Sequence, residues 1–257
     1  MLRSIMGLAA LTIAAIPACA GGVEDELAGE TAADDITADG KADASPGGAY
    51  TYFAIAQDLR KCASPACGGF FVTRLNRSMT ICHDGTAAAT CYTPVLDWSE
   101  SQLGAELQAK LVDGAATEAT AGGTRAIVRG RFAPTNATPM PELGRFVVTE
   151  AWLGETAQPA SGVFVKVVDN GVRCIQEPCP WLLERGLNLS RSAVIDEIDW
   201  SYAELSDKEI EGFVEELAEP SGLLMAGDRY YYTENGETAK GRTCTQGYHR
   251  LVEPAAP

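Results

Sequence analysis

Positive charge is scarce in this sequence. Twenty Lys and Arg face 35 Asp and Glu, for a net charge of −15. No Lys/Arg cluster occurs, so nucleic acid and anionic lipid should both repel the chain. Histidine is nearly absent: His83 and His249 are the only two, and neither sits in a recognisable constellation. There is no Gly-x-Ser-x-Gly, no His-Glu-x-x-His and no phosphate loop. The common hydrolase, zinc-peptidase and nucleotide-binding signatures are therefore missing. After residue 16 no apolar stretch is long enough to span a bilayer. No catalytic residue, metal or cofactor is expected from these patterns.

What is present begins with a targeting segment over residues 1–20. Arg3 precedes the apolar run IMGLAALTIAAI (5–16), which is too short to be a transmembrane helix. Ile16-Pro17-Ala18-Cys19 resembles a bacterial lipobox, in which the cysteine is acylated and becomes the new N-terminus. Ala18-Cys19-Ala20 also fits ordinary secretory cleavage. The first reading predicts a membrane attachment through lipidated Cys19, at the outer membrane; the second predicts a periplasmic or extracellular protein. Residues 21–48 carry eight acidic residues and one Lys with almost no large apolar side chains. Such a segment cannot offset its ordering entropy and is expected to be a disordered tether. Within it, Asp35-x-Thr37-x-Asp39-Gly40 looks like the start of a calcium loop. Its twelfth position is Pro46 rather than Glu, so a solvated acidic run is the better reading.

Beyond the tether the chain is written twice. Cys62-x4-Cys67 returns as Cys174-x4-Cys179, and Leu75-Asn76 as Leu187-Asn188, both at an offset of 112. Leu96-Asp97-Trp98-Ser99 returns as Ile198-Asp199-Trp200-Ser201 at an offset of 102. Thr149-Glu150-Ala151-Trp152 returns as Thr245-Gln246-Gly247-Tyr248 at an offset of 96. This order predicts two homologous modules, over 49–154 and 155–257. The first holds an insertion bounded by Cys82 and Cys91, with Asp84-Gly85 as its hairpin turn. Each module reads as β-like runs followed by one helix and two closing strands. Ser99-x-x-Gln102 and Ser206-x-x-Glu209 are capping boxes in front of apolar stripes. The stripes are Leu103, Leu107 and Leu111, then Ile210, Phe213, Val214 and Leu217. Gly114 and Pro220 are the expected helix ends. The fold class expected is α+β: two modules, each a mainly antiparallel sheet with one packed helix and small disulfide-closed loops.

The cysteine pairs Cys62–Cys67, Cys82–Cys91 and Cys174–Cys179 are expected to be disulfides. Positions five apart in an extended chain lie roughly 17 Å from one another, whereas bridged Cα atoms lie about 4.4–6.8 Å apart. Each short bridge thus forces a chain reversal, which Pro65 and Pro178 suit. Such small loops contribute only about 2–3 kcal/mol in the chain-entropy model, so they shape loops more than they hold the fold. Both Cys-x4-Cys pairs could instead share one zinc, but an exported chain meets an oxidising compartment. Cys244 is left over and reads as a buried free thiol. His249 should lie on the opposite face of the same strand, which argues against a catalytic Cys–His pair. The recurring Asp97, Trp98, Asp199 and Trp200 read as a structural motif, with Trp anchoring a helix to the sheet and Asp bonding locally. Asn76 and Asn188 recur with them.

RKCASPACGGFFVTRLN, VRCIQEPCP, the Asp-Trp-Ser tripeptide and Thr-Glu-Ala-Trp together resemble a domain-of-unknown-function family of exported bacterial proteins and lipoproteins. The DGKAD stretch of the tether is similar to theirs. The resemblance implies no activity and no ligand. Function is thus left between three readings. A cell-envelope or secreted interaction or structural protein, with an extracellular protein or envelope component as partner, fits the tethered, rigid design best. A peptidase inhibitor could use the Pro-containing closed loops. A hydrolase could use the acidic cluster Asp196, Glu197 and Asp199, although carboxylates before a helix are more often solvated caps. The oligomeric state is left open.

Overall fold

The structure, a computed structural model, describes residues 51–253 apart from 122, 137–138 and 157. The leader, Cys19, the tether and its Asp35 loop lie outside the described residues. The first half runs β1 (Thr51–Gln57), β2 (Phe70–Arg74), a small hairpin of β3 (Thr80–Ile81) and β4 (Ala87–Ala88), β5 (Cys91–Thr93) and β6 (Leu96–Asp97). It continues with α1 (Ala105–Ala121), β7 (Ala126–Ala133) and β8 (Arg145–Gly154). The second half runs β9 (Val163–Asp169), β10 (Leu182–Gly186), β11 (Ser192–Ile195), β12 (Glu197–Asp199) and α2 (Asp207–Ala218). It closes with β13 (Leu223–Gly227), β14 (Arg229–Glu234), β15 (Glu237–Thr243) and β16 (Gln246–Arg250).

This arrangement corrects the expected fold class. The described chain is mostly β, and the halves do not form two α+β modules with separate sheets. Their strands run through one 11-stranded sheet, ordered β11-β10-β9-β13-β16-β8-β7-β1-β2-β5, with β6 beside β8. The pairings along this path are antiparallel, and only β6 lies parallel to its neighbour. The reason lies at the middle. β8 and β16 each close their own half and would each leave a row of unpaired backbone groups. They pair with one another, Tyr248 opposite Gly154 and Arg250 opposite Trp152. Outward from that pair, β8-β7-β1-β2-β5 on one side matches β16-β13-β9-β10-β11 on the other.

Two helices cover one face of the sheet. α1 lays its buried Leu111 and Ala115 over Phe53, Ile55, Val72, Val128 and Phe146. α2 lays Phe213 and Leu217 over Val165, Val167, Leu182 and Met225. Its Ser206–Glu209 capping box is complete, but Val214 remains 46% exposed. α1 departs further from expectation. It starts at Ala105, beyond Ser99-x-x-Gln102, and passes through Gly114 to Ala121. A Cβ at Gly114 would meet Leu153 Cδ1 at 2.4 Å, so the glycine marks a close approach of helix to sheet rather than a helix end.

The opposite face holds a third core, shared by both halves: Ala54, Leu75, Ile127 and Trp152 with Leu187, Leu224, Ala226 and Tyr248. The sheet curls around it. Five strand steps separate β1 from β9, yet the turn after β2 hydrogen-bonds β9 directly, and the turn after β10 bonds β1. A second, three-stranded sheet, β12-β15-β14, stands beside the second half.

Candidate functional site

Three disulfides close the predicted loops, with Cα separations of 5.7 Å for Cys62–Cys67, 5.4 Å for Cys82–Cys91 and 5.6 Å for Cys174–Cys179. The Cys82–Cys91 bridge closes around the β3–β4 hairpin, whose turn holds Gly85 at φ +83° while Asp84 accepts from the Thr86 amide. The other two loops link equivalent strand pairs, β1 to β2 and β9 to β10. Because β1 and β9 run in opposite directions, these loops emerge at opposite ends of the sheet.

The Cys62–Cys67 loop is sewn down. Arg60 lies over the rings of Phe71 and Tyr92, at 5.2 and 5.6 Å, and forks onto Asp58 at 2.8 Å. That guanidinium holds the Asp58 carboxyl below the usual carboxylate range. Tyr92 Oη donates to the Pro65 carbonyl at 2.8 Å. The Cys174–Cys179 loop is fixed at its base and bare at its tip. Arg173 pairs with Asp169, which the guanidinium and the Gly171 amide hold down at about 2. Asn170 Nδ2 donates to the Pro180 carbonyl, and Asn235 Nδ2 to the Glu177 carbonyl, both at 2.8 Å. Ile175 points wholly into solvent, at 108% relative exposure. The braced loop thus presents one aliphatic side chain at the surface, on the kind of rigidly held loop where recognition residues are commonly found.

Asn235 belongs to the turn of the β14–β15 hairpin, which makes the hairpin and this loop one continuous surface. Asn235 and Gly236 have φ of +51° and +82°, the backbone a two-residue hairpin turn requires. Tyr230 lies across Gly241, where a Cβ would meet its Cζ at 2.2 Å, and donates its hydroxyl to Glu197 at 2.7 Å. The rings of Tyr230 and Tyr232 are 5.9 Å apart. Burial, then the charges of Glu197, Asp196, Glu234 and Glu177, push the Tyr232 hydroxyl up to about 12. Beneath the hairpin, Arg242 and Arg229 both grip Glu184 of β10, and Arg242 Nη1 donates to the Gly227 carbonyl at 2.6 Å. Burial alone would raise the Glu184 pKa, but the two arginines bring it below the ordinary glutamate value.

The remaining expected residues fall elsewhere. Asp97 and Asp199 each accept from the amide two residues on, Ser99 at 2.9 Å and Ser201 at 3.0 Å. Asp97 also pairs with Arg145 at 3.1 Å. Trp98 packs against the core under α1, and Trp200 against the core under α2, stacked 5.9 Å from Phe213. Asn76 and Asn188 lie in the turns that bond across the curl of the sheet. Cys244 is a buried free thiol in the core beneath α2, raised by burial to about 12. It does not lie in the strand of His249, and the two share a face: His249 stacks 4.1 Å from the same Phe213. Of the acidic cluster, Asp196 accepts from the Lys240 amide at 2.8 Å, Glu197 from Tyr230, and Asp199 from its own turn. Among the described residues no group of three or more His, Cys, Asp or Glu is placed to hold a metal. A groove of about 430 Å³ lies between Leu103, Thr149, Glu150 and Arg250. Its carboxylate is committed, since Glu150 bonds both Arg129 at 2.6 Å and Arg250 at 2.9 Å.

A family model described as a domain of unknown function, DUF6748, matches residues 51–254. The chain belongs to the DUF6748 family. No curated protein and no solved structure matches it. The disulfides of this DUF6748 domain place it in an oxidising, exported environment. None of its described helices is long and apolar enough to cross a membrane. Ile175, the β14–β15 hairpin and the Glu184–Arg242 pair are not among the site residues expected from the sequence. Asn235-Gly236 between two β-like runs was the available signal for the hairpin. The ion pair joins residues 58 positions apart and has no local signature.

Proposed function

We propose that this protein is an exported, envelope-attached binding protein with no catalytic activity of its own. The acidic tether and lipidated Cys19 would hold it at the outer membrane, and the domain over residues 51–254 would meet an extracellular protein or envelope component. The observation that carries the reading is Ile175, fully exposed on a loop closed by Cys174–Cys179 and braced by Arg173 and Asn235. Preorganised loops lose little entropy on binding, so one apolar anchor there is effective. The groups with catalytic chemistry are otherwise engaged: Glu150 between two arginines, Cys244 as a buried neutral thiol. The matching strand orders on either side of the β8–β16 pair support an origin by duplication. The two closed loops have diverged since, Ala63-Ser64 in one and Ile175-Gln176 in the other.

The same observation favours a second reading, peptidase inhibition, in which Ile175 would enter an apolar specificity pocket. One experiment serves both. A photo-reactive residue placed at 175 in the exported protein should yield a discrete adduct in its native envelope, and one placed at exposed Leu59 should not. A panel of secreted peptidases then decides between them: inhibition lost on Ile175→Asp assigns the inhibitor role, and an unaffected panel leaves the binding role. Equal adducts at 175 and 59 would remove both.

A further inference from the structure

The β14 strand has an open side. In the β12-β15-β14 sheet it is an end strand, and no described strand pairs with its outer edge. The register identifies which groups face outward. Lys240, in β15, gives its carbonyl to the Asp196 amide and its own amide to the Asp196 carboxylate, both away from β14. Its cross-strand partner is Tyr231. In an antiparallel ladder, residues opposite each other turn their backbone groups the same way relative to the pair, inward or outward. Tyr231 and, two residues on, Thr233 therefore turn their N–H and C=O away from β15. They form a two-rung template for another strand.

Charge says which strand. Tyr230, Tyr232 and Glu234 alternate along one face of β14, Glu237 lies opposite Glu234, and the Asn235 side chain beside them holds the Glu177 carbonyl at 2.8 Å. Glu234, Glu237 and Glu177 form no ion pair with a Lys or Arg among the described residues. Tyr rings beside carboxylates suit a cationic side chain, which gains both the charge attraction and the ring face. A second copy of this chain would bring the same carboxylates edge to edge, and residues 21–48 carry eight acids against one Lys, so both are of the wrong sign. On the reverse face Lys240 sits 5.8 Å from the Tyr231 ring and disfavours a second cation there.

We propose that the outer edge of β14 takes up an extended peptide segment as a fourth strand, with Lys or Arg at alternate positions facing Tyr230 and Tyr232 and uncharged residues between them. This rests on the reading of the chain as a binding protein, but not on the Ile175 loop.

The probe is a blocked hexapeptide of alternating Lys and Val, titrated into the oxidised protein and followed by backbone amide NMR shifts. Binding is expected to move the Tyr231 and Thr233 amides most. It should weaken at least about tenfold when Lys is replaced by Glu, and again when alternate peptide nitrogens are methylated, since one change removes charge and the other the ladder. Thr233→Pro, which removes an outward N–H from an edge strand, should abolish it. Glu177→Gln with Glu234→Gln should weaken it without moving the unfolding midpoint. Equal binding of the Lys and Glu peptides, full binding of the methylated one, or self-association of the protein through β14 would each overturn the proposal. Ile175→Asp separates the two ideas: it should leave peptide binding intact while removing the adduct at the loop.

Discussion

Asn76 and Asn188 make the same set of hydrogen bonds in opposite directions across the sheet. Asn76 Oδ1 accepts from the Phe164 amide at 2.9 Å, and its Nδ2 donates to the carbonyls of Phe164 and Leu187, at 2.7 and 2.8 Å. Asn188 Oδ1 accepts from the Tyr52 amide at 2.9 Å, and its Nδ2 donates to the carbonyls of Tyr52 and Leu75, at 2.7 and 3.0 Å. Each side-chain amide thus replaces a strand at the start of the other half's first strand. Both residues sit at positive φ, +56° and +59°, which Asn tolerates better than other side-chain-bearing residues.

Asn76→Ala should therefore destabilise by about 2–4 kcal/mol, because it orphans half-buried backbone groups and puts a Cβ-bearing residue without compensation in the left-handed region. Asn76→Gly removes the backbone cost but not the lost bonds, and should fall short of the alanine effect. The two sites close one seam, so Asn76→Ala with Asn188→Ala should be less than the sum of the single changes. Urea unfolding of the oxidised proteins measures all three.

A pH effect follows from His249. Its Nδ1 bonds Glu216, its Nε2 lies 3.7 Å from Glu155, Glu209 is nearby, and its ring stacks on Phe213. The hydrogen bond to Glu216, against the effect of burial, raises the imidazole above its ordinary value near 6.5. A raised folded pKa means the fold prefers the charged ring. That stabilisation is whole below about pH 6.5 and fades as pH climbs through the folded value. Glu216→Gln should flatten the neutral-pH part of the stability profile and lower the His249 pKa seen by NMR titration. An unchanged titration would show that the Glu216 contact does not govern the ring.

Much of the local structure was legible in the sequence, and the long-range structure was not. The Ser206–Glu209 capping box is a short-range device and forms as read. The turns at Asp97 and Asp199 likewise need only residues two positions on. α1 was misread at both ends because its signals are used otherwise. Ser99 gives its amide to Asp97 instead of capping the helix, and Gly114 faces Leu153 inside it. The fold class was misread because periodicity reports which face a residue takes, not which strand lies beside it. Nothing local in β8 or β16 announces that they pair across a gap of about ninety residues and join the halves into one sheet. Ile175 was unreadable for a related reason: an aliphatic residue is assigned to a core unless the path of the chain is known.

The Glu184–Arg242 pair is buried on both sides, each side chain 1% exposed. Removing the carboxylate strands the enclosed Arg242 guanidinium, so Glu184→Ala should cost about 3–5 kcal/mol, and Arg242→Ala less, because Arg229 still holds Glu184. Replacing both, Glu184→Leu with Arg242→Met, should cost less than Glu184→Ala, because the charge that then loses this carboxylate is Arg229, whose side chain is 27% exposed and can turn to solvent. The signature in acid has the opposite sign to that of His249. A lowered glutamate pKa gives stability that is present above the unfolded value and lost as pH falls through the folded one. Thermal unfolding between pH 2 and pH 7 should therefore separate wild type from the double variant, with the wild type falling more steeply at the acid end.

Cys244 supplies a test of the core beneath α2. Burial pushes its thiol up to about 12, and it is wholly enclosed. Only the thiolate attacks disulfides and alkylating agents, so both its charge state and its position protect it. In the native protein Cys244 should resist iodoacetamide over hours at pH 8, and become modified as soon as denaturant opens the fold without reductant. The labelling rate across a urea series then reports opening of the α2 core. Cys244→Ser places a hydroxyl among Val165, Phe213 and Met225 and should cost about 1–3 kcal/mol. Cys244→Ala, which leaves only a small cavity, should cost less. Rapid labelling of the folded protein would mean that α2 lifts from the sheet far more often than its buried contacts imply.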